Sequence, residues 1–175
     1  EVRGLLNFSV YCAHKATPPA LRAIANDPET TIDGFILPGH VATITGLAPF
    51  SFLVDEFNTP GVVTGFEPVD ILQGICMLVQ MVVEGQPAID NAYRRGVNAD
   101  GNPVARQLVE QVFEPCDTTW RGLGSIAASG LAIRPEFSRF DASMRFGVSI
   151  EPTVEPRGCR CGDVLRGAIT VSYTH

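Results

Sequence analysis

Four places in this sequence carry residue types that could do chemistry at a useful spacing. Phe8-Ser9-Val10-Tyr11-Cys12 reads as a strand and runs into Ala13-His14-Lys15. Ile32-Asp33-Gly34-Phe35-Ile36-Leu37 reads as a strand, is halted by Pro38-Gly39, and delivers His40. Val62-Val63-Thr64-Gly65-Phe66 reads as a strand and runs into Glu67-Pro68, with Asp70 close behind. Imidazole and carboxylate groups at such points can ligate metal or carry protons. The fourth place is Cys159-Arg160-Cys161, flanked by Gly158 and Gly162. Glycines on both sides allow a tight loop to aim two thiolates at one centre. Soft thiolates suit zinc or an iron–sulfur cluster, although four ligands are usual.

The elements between these places must position them. Helical pattern separates each strand-like run from the next, which predicts an α/β fold: a mainly parallel sheet with flanking helices in three layers. The carboxyl ends of parallel strands share one edge, and ligands bind along it. His14, His40 and Glu67 are therefore expected on one rim. Thr17 is the expected N-cap of a first helix, with Pro18 and Pro19 in its first turn and Asn26-Asp27-Pro28 at its end. A helix that begins at Pro49 and carries Phe50, Phe52, Leu53, Val54 and Phe57 leads to a turn at Asn58-Thr59-Pro60-Gly61. Asp70 with Gln73 resembles a capping box, and the apolar residues from Ile71 to Val83 cover most of that helix, so it reads as widely buried. Gly85 is its expected stop. Asn102-Pro103 opens another helix, with a stripe of Val104, Leu108, Val109, Val112 and Phe113. Beyond Pro115 the pattern reads as loops. Pro152, Pro156 and Gly158 mark a linker, and an irregular C-terminal extension follows. The expected division is an α/β domain over 1–150, with its core in 1–95 and a helical and loop extension in 96–150. Residues 151–175 would then begin a truncated cysteine-containing region.

Composition narrows the functions. The 175 residues are 45% hydrophobic and 18% charged, with a formal net charge of -6. That is a globular balance, and it offers no basic patch for nucleic acid. The longest apolar run, Ile75 to Val83, is broken by Gln80 and falls short of the ~18 residues of a membrane span. With no secretory feature at the start, the chain reads as cytoplasmic. Five cysteines in such a compartment are buried, metal-binding or redox-active rather than paired. Cys76 is expected in the core and Cys116 in a loop. Cys12 and His14, two apart on an extended segment, share a face and could form a nucleophile and base in a stand-alone α/β enzyme. A zinc-stabilised module around Cys159 and Cys161 is a further alternative. Gly122-Leu123-Gly124-Ser125-Ile126-Ala127 matches G-x-G-x-x-A on paper, but Thr118-Thr119-Trp120-Arg121 is not the buried strand that a dinucleotide fingerprint needs in front of it.

Seven ordered stretches together resemble the HypD family of hydrogenase maturation proteins. They are HKATPPAL from His14, IDGFILPGHVATITG from Ile32, GFEPVDILQG from Gly65, EPCDTTWRGLG from Glu114, Ser129-Gly130-Leu131, EFSRFDASMRF from Glu136, and GCRCGDVLRG from Gly158. The resemblance implies a non-enzymatic scaffold on which the Fe(CN)2CO unit of nickel–iron hydrogenases is assembled, with a HypC-type chaperone and a HypE-type cyanide donor as partners. It implies iron and a 4Fe-4S cluster in a larger parent with two related α/β domains. This chain would correspond to the middle domain and the start of the iron–sulfur region, with no cluster expected on it alone. His14, His40, Glu67 and Asp70 would line the iron-assembly cleft, and Cys159 and Cys161 would be metal ligands. The family's Cys-Gly-Thr-His-Glu and Gly-Pro-Gly-Cys-Pro-Val-Cys motifs are not in this sequence.

Overall fold

The computed structural model describes residue 4, residues 6–148 and residues 154–171. At its centre is a three-stranded parallel sheet in the order β1, β2, β3, formed by Phe35–Pro38, Gly61–Thr64 and Ile89–Asn91. The register is in step: Leu37 lies beside Val63, and Val63 beside Asn91. Helices cover both faces. Phe35, Leu37 and Val63 share a core with Ile24 of α1 (Thr17–Ala25), Ala42 of α2 (Gly39–Thr45), and Phe52 and Leu53 of α3 (Phe52–Asp55). The opposite face, at Val62 and Thr64, is covered by α4 (Pro68–Glu84). The expected parallel sheet with flanking helices is therefore present.

Pro18 and Pro19 do sit in the first turn of α1, but Ala16 holds the N-cap position and Thr17 is already helical. Asn26 closes the helix with its amide on the Arg22 carbonyl, and the Asp27 amide bonds the Ile24 carbonyl. Gly85 ends α4 in the left-handed conformation, as its position predicts. α5 (Pro103–Val112) is capped by the Asn102 side chain, which accepts from the amide of Ala105. Phe113, expected on the stripe of that helix, is instead extended and begins β4.

Several expectations are overturned. Phe8 to Cys12 is not a strand of the parallel sheet. Val10 bridges to Asp141, and the chain then runs along a separate antiparallel hairpin, where Lys15 bridges to Gly130. That hairpin, β4 (Phe113–Trp120) and β5 (Gly124–Ile133), occupies the stretch expected as loops. Alternation along β4 is real, but threonines and Pro115 in place of large aliphatics hide it from an apolar pattern. Cys76 is exposed rather than core, and α4 is buried on one side only. After the hairpin come a 3-10 turn (Pro135–Phe140), α6 (Ala142–Phe146) and α7 (Cys161–Leu165). Pro152 of the expected linker lies outside the described residues. No helix among the described residues is long and apolar enough to cross a membrane.

The seat of α4 on the sheet depends on Gly74. A Cβ there would lie 2.3 Å from the Thr64 methyl, which is buried and stiff at χ1. An exposed helical glycine replaced by alanine would gain about 1 kcal/mol. Here the overpacking, typically about 1–3 kcal/mol, wins. Gly74→Ala is expected to lower the urea midpoint, and an unchanged or raised midpoint would show that α4 shifts freely on β2.

Candidate functional site

The carboxyl ends of β1 and β2 point into the turns that start α2 and α4. His40 is the second residue of α2, so the strand stop at Pro38-Gly39 places its ring at this edge. Phe66 and Glu67 leave β2 at the same edge. The His40 ring meets the Phe66 ring edge-on, with centroids 4.8 Å apart, and lies 6.5 Å from the Tyr93 ring. Tyr93 follows β3, so all three strand ends contribute.

Asp70 is the hub of this edge. It is not the N-cap of α4. Pro68 starts the helix, Glu67 takes the N-cap position, and no side chain caps it. Asp70 sits in the first turn and is buried, and its carboxylate turns toward the strand ends. Arg95 grips it with two parallel bonds, Nη1 to Oδ1 at 2.7 Å and Nη2 to Oδ2 at 2.6 Å. Arg95 Nη2 also donates to Glu67 Oε2 at 2.9 Å, and the guanidinium lies over Tyr93 at 4.6 Å. The Arg95 hydrogen bonds hold the Asp70 carboxyl below its ordinary value, against the opposing effect of burial, with help from the charge of Arg95 and the Glu67 amide. Asp70 in turn raises Arg95 above its already high value. Gly65 is needed for the approach, because a Cβ there would stand 2.1 Å from Asp70 Oδ2.

Sequence reasoning missed Arg95 and Tyr93. Arg94-Arg95 reads only as a cluster too short to make a basic patch, and the three residues of β3 are too few for periodicity to show that Tyr93 and Arg95 follow a strand end.

His14 is placed elsewhere. It does not end a strand of the parallel sheet, so the expected common rim holds His40, Glu67 and Asp70 without it. Its carbonyl accepts from the Leu131 amide of β5, and its ring stands edge-on to Phe113 at 5.4 Å. Cys12 Sγ lies 3.1 Å from His14 Nδ1 and donates to the Leu131 carbonyl at 2.9 Å. That bond directs the thiol proton to the backbone rather than to the imidazole. A nucleophile and base would need the opposite arrangement, with a third group orienting the ring.

Cys159 and Cys161 form a second place. Cys161 hydrogen-bonds to Cys159 through backbone and side chain, and the Arg121 guanidinium approaches Cys159, so the Cys159 thiol is held below its ordinary value. Cys159 and burial push Cys161 the other way. The loop is docked and not loose. Gly162 lies backbone to backbone against Gly122, with no room for a Cβ on either residue. Arg166 bonds to Asp163 at 2.8 Å and pairs with Asp27 and Glu29, and its carbonyl accepts from Thr31. Two thiols are half of a four-thiolate set, and no group of three or more His, Cys, Asp or Glu suited to a metal occurs among the described residues. The donors in the described structure therefore do not by themselves fit a 4Fe-4S cluster. All five cysteines are free.

Fold and site together define an α/β protein whose polar residues gather at the carboxyl edge of a short parallel sheet, with a separate paired-thiol loop. A family model described as HypD, hydrogenase formation hypA family, matches residues 1–173. The hydrogenase expression/formation protein HupD of Azotobacter chroococcum is 43% identical over 171 residues, which is 94% of this chain and 45% of the relative. The hydrogenase maturation factor HypD2 of Bradyrhizobium diazoefficiens is 42% identical over 172 residues, covering 94% of this chain and 45% of the relative. The hydrogenase maturation factor HypD of Escherichia coli is 39% identical over 170 residues, 95% of this chain and 45% of the relative. The chain belongs to the HypD family, and it spans about half the length of the curated relatives it matches.

The Asp70–Arg95 pair makes stability depend on pH in a defined direction. Asp70 is held ionised in the folded chain below the ~3.9 of an unfolded aspartate. As pH falls, the unfolded chain takes up the proton first, so the contribution is complete above about pH 4 and is lost as pH drops through the folded value. Asp70→Asn is expected to lower the urea midpoint at pH 7, and the gap to the unaltered chain should close in acid. A gap of constant size down to the lowest accessible pH would show that Arg95 does not discriminate the ionised form.

Proposed function

We propose that the chain is the α/β portion of a hydrogenase maturation scaffold on which the Fe(CN)2CO unit is assembled. The observation that carries this is the family match over nearly the whole chain. The strand-end edge supports it. His40 and the exposed Glu67 offer nitrogen and oxygen donors beside a rigid ion pair, and such residues suit the holding and orienting of an iron unit that arrives as cargo. Asp70 and Arg95 act there as positioning residues, since each is already committed to the other.

The partners on this reading are a HypC-type chaperone that carries iron and a HypE-type donor of cyanide. Five free thiols accord with a cytoplasmic setting. Cys159 and Cys161 contribute to a 4Fe-4S cluster only when further ligands come from the rest of a longer polypeptide. The protein is a metallocentre assembly factor rather than an enzyme with its own turnover.

The test uses the E. coli relative, because its strain provides a hydrogenase readout. A strain lacking that protein is complemented with variants altered at the positions matching His40 and Asp70. Loss of a group that positions a ligand typically costs about 10- to 100-fold in metal affinity or activity. Hydrogenase activity and the iron bound by the purified relative are expected to fall together in that range. Full activity in both variants would remove the strand-end edge from the function.

The paired thiols have a separate test. The 175-residue chain, reconstituted anaerobically with iron and sulfide, is expected to carry no stoichiometric cluster by visible absorption and iron analysis. In the full-length relative, alanine at either position matching Cys159 or Cys161 should abolish or weaken the cluster. A stoichiometric cluster on the 175 residues, or undiminished clusters in both variants, would show that the ligands are assigned wrongly.

A further inference from the structure

α4 has its more apolar side turned outward. Asp70 and Gly74 face the sheet and its strand ends, and both are buried. Leu72, Ile75, Cys76, Val79, Val82 and Val83 all lie on the open side. Leu72 is 66% exposed, Val79 57% and Val83 80%. Water gives no reason to keep such a surface bare, and a contiguous apolar patch of this kind marks an interaction site. The spacing of these residues is i, i+3, i+4, i+7, i+10 and i+11. That is the heptad seam by which one helix takes up another, so the surface is shaped for a helix. A groove of about 320 Å3 beside Asp33 and Gly34, lined by Leu78 and Val79, continues the seam toward β1.

We propose that this seam seats an amphipathic helix from the part of the longer family polypeptide that lies outside these 175 residues. The extent of the family polypeptide selects that occupant. The match covers 45% of the E. coli relative, so more than half of that polypeptide lies outside the matched region and is available to cover the seam. A second copy of the chain is the alternative occupant, and the protection it gave would grow with protein concentration. The inference does not rest on the proposed function, since it concerns only what covers α4.

Cys76 lies within the seam and reports on it. Its thiol is exposed in this chain, and maleimide labelling read by mass spectrometry is expected to modify it readily. In the full-length E. coli relative, a cysteine placed at the position matching Cys76 is expected to react about tenfold or more slowly than in the urea-unfolded protein, at a rate independent of protein concentration. Equal reactivity in the folded and unfolded relative would overturn the proposal. Protection that grows with protein concentration would also overturn it, because it would assign the seam to a second copy. Glutamate at the position matching Val79 should restore fast labelling with the circular dichroism of the relative retained. Where that variant does not fold, the labelling of the unaltered seam decides alone.

Discussion

The bidentate pair between Asp70 and Arg95 is the interaction on which the strand-end edge depends. It joins the first turn of α4 to the segment after β3, so it ties together two connections that leave neighbouring parallel strands. Asp70 is buried while Arg95 is about half exposed, so the carboxylate contributes fixed geometry and the guanidinium connects it to the open surface. Through Arg95 the same network reaches Glu67 and Tyr93, and through Tyr93 and Phe66 it borders His40. A planar fork holds both oxygens at once, which lysine could not do. The edge is thus ordered by charge and stacking, while the strands beneath it are ordered by packing.

The parts of the fold that could be read from the sequence are those written in local punctuation. Proline and glycine after Leu37, the prolines of α1, the cap of α5 and the glycine after α4 each act on the backbone within a few residues. The parts that could not be read depend on partners distant in sequence. The alternation of Phe8 to Cys12 correctly signals extended chain, yet period two does not say which sheet an extended segment joins. Val10 and Lys15 pair with residues more than a hundred positions away, beside α6 and on β5. His14 left the expected rim for that reason and no other.

The apolar content of α4 misled in a different way. A helix that is hydrophobic all round normally lies within a core. Here the described residues bury only the sheet-facing side of α4, at Asp70 and Gly74. Cys76 lies on the other side and is exposed. Asp70 reads as a cap in the sequence because an acidic residue three positions before a glutamine fits the box. Its carboxylate accepts from the Glu67 amide, which is the reciprocal half of such a box, but Arg95 takes most of its capacity.

The two chemical places sit on different scaffolds, and this bears on how they can act. His40, Glu67 and Asp70 ride on the parallel sheet. The thiol loop docks on the hairpin turn, where the Gly122 amide also donates to Glu155. The hairpin is attached to the sheet domain through α1, through Leu123, which packs against the core, and through the Ala16 amide on Ser129. Ser129 is fully buried and takes the Trp120 indole N–H at 2.8 Å, so the hairpin is internally braced near its turn. Arg166 adds a second tie, from beyond the thiols back to Asp27 and Glu29 at the end of α1. The thiol loop is therefore held to the α1 end of the domain from two directions. Movement of one chemical place relative to the other would have to bend the hairpin or break Arg166 from its carboxylates.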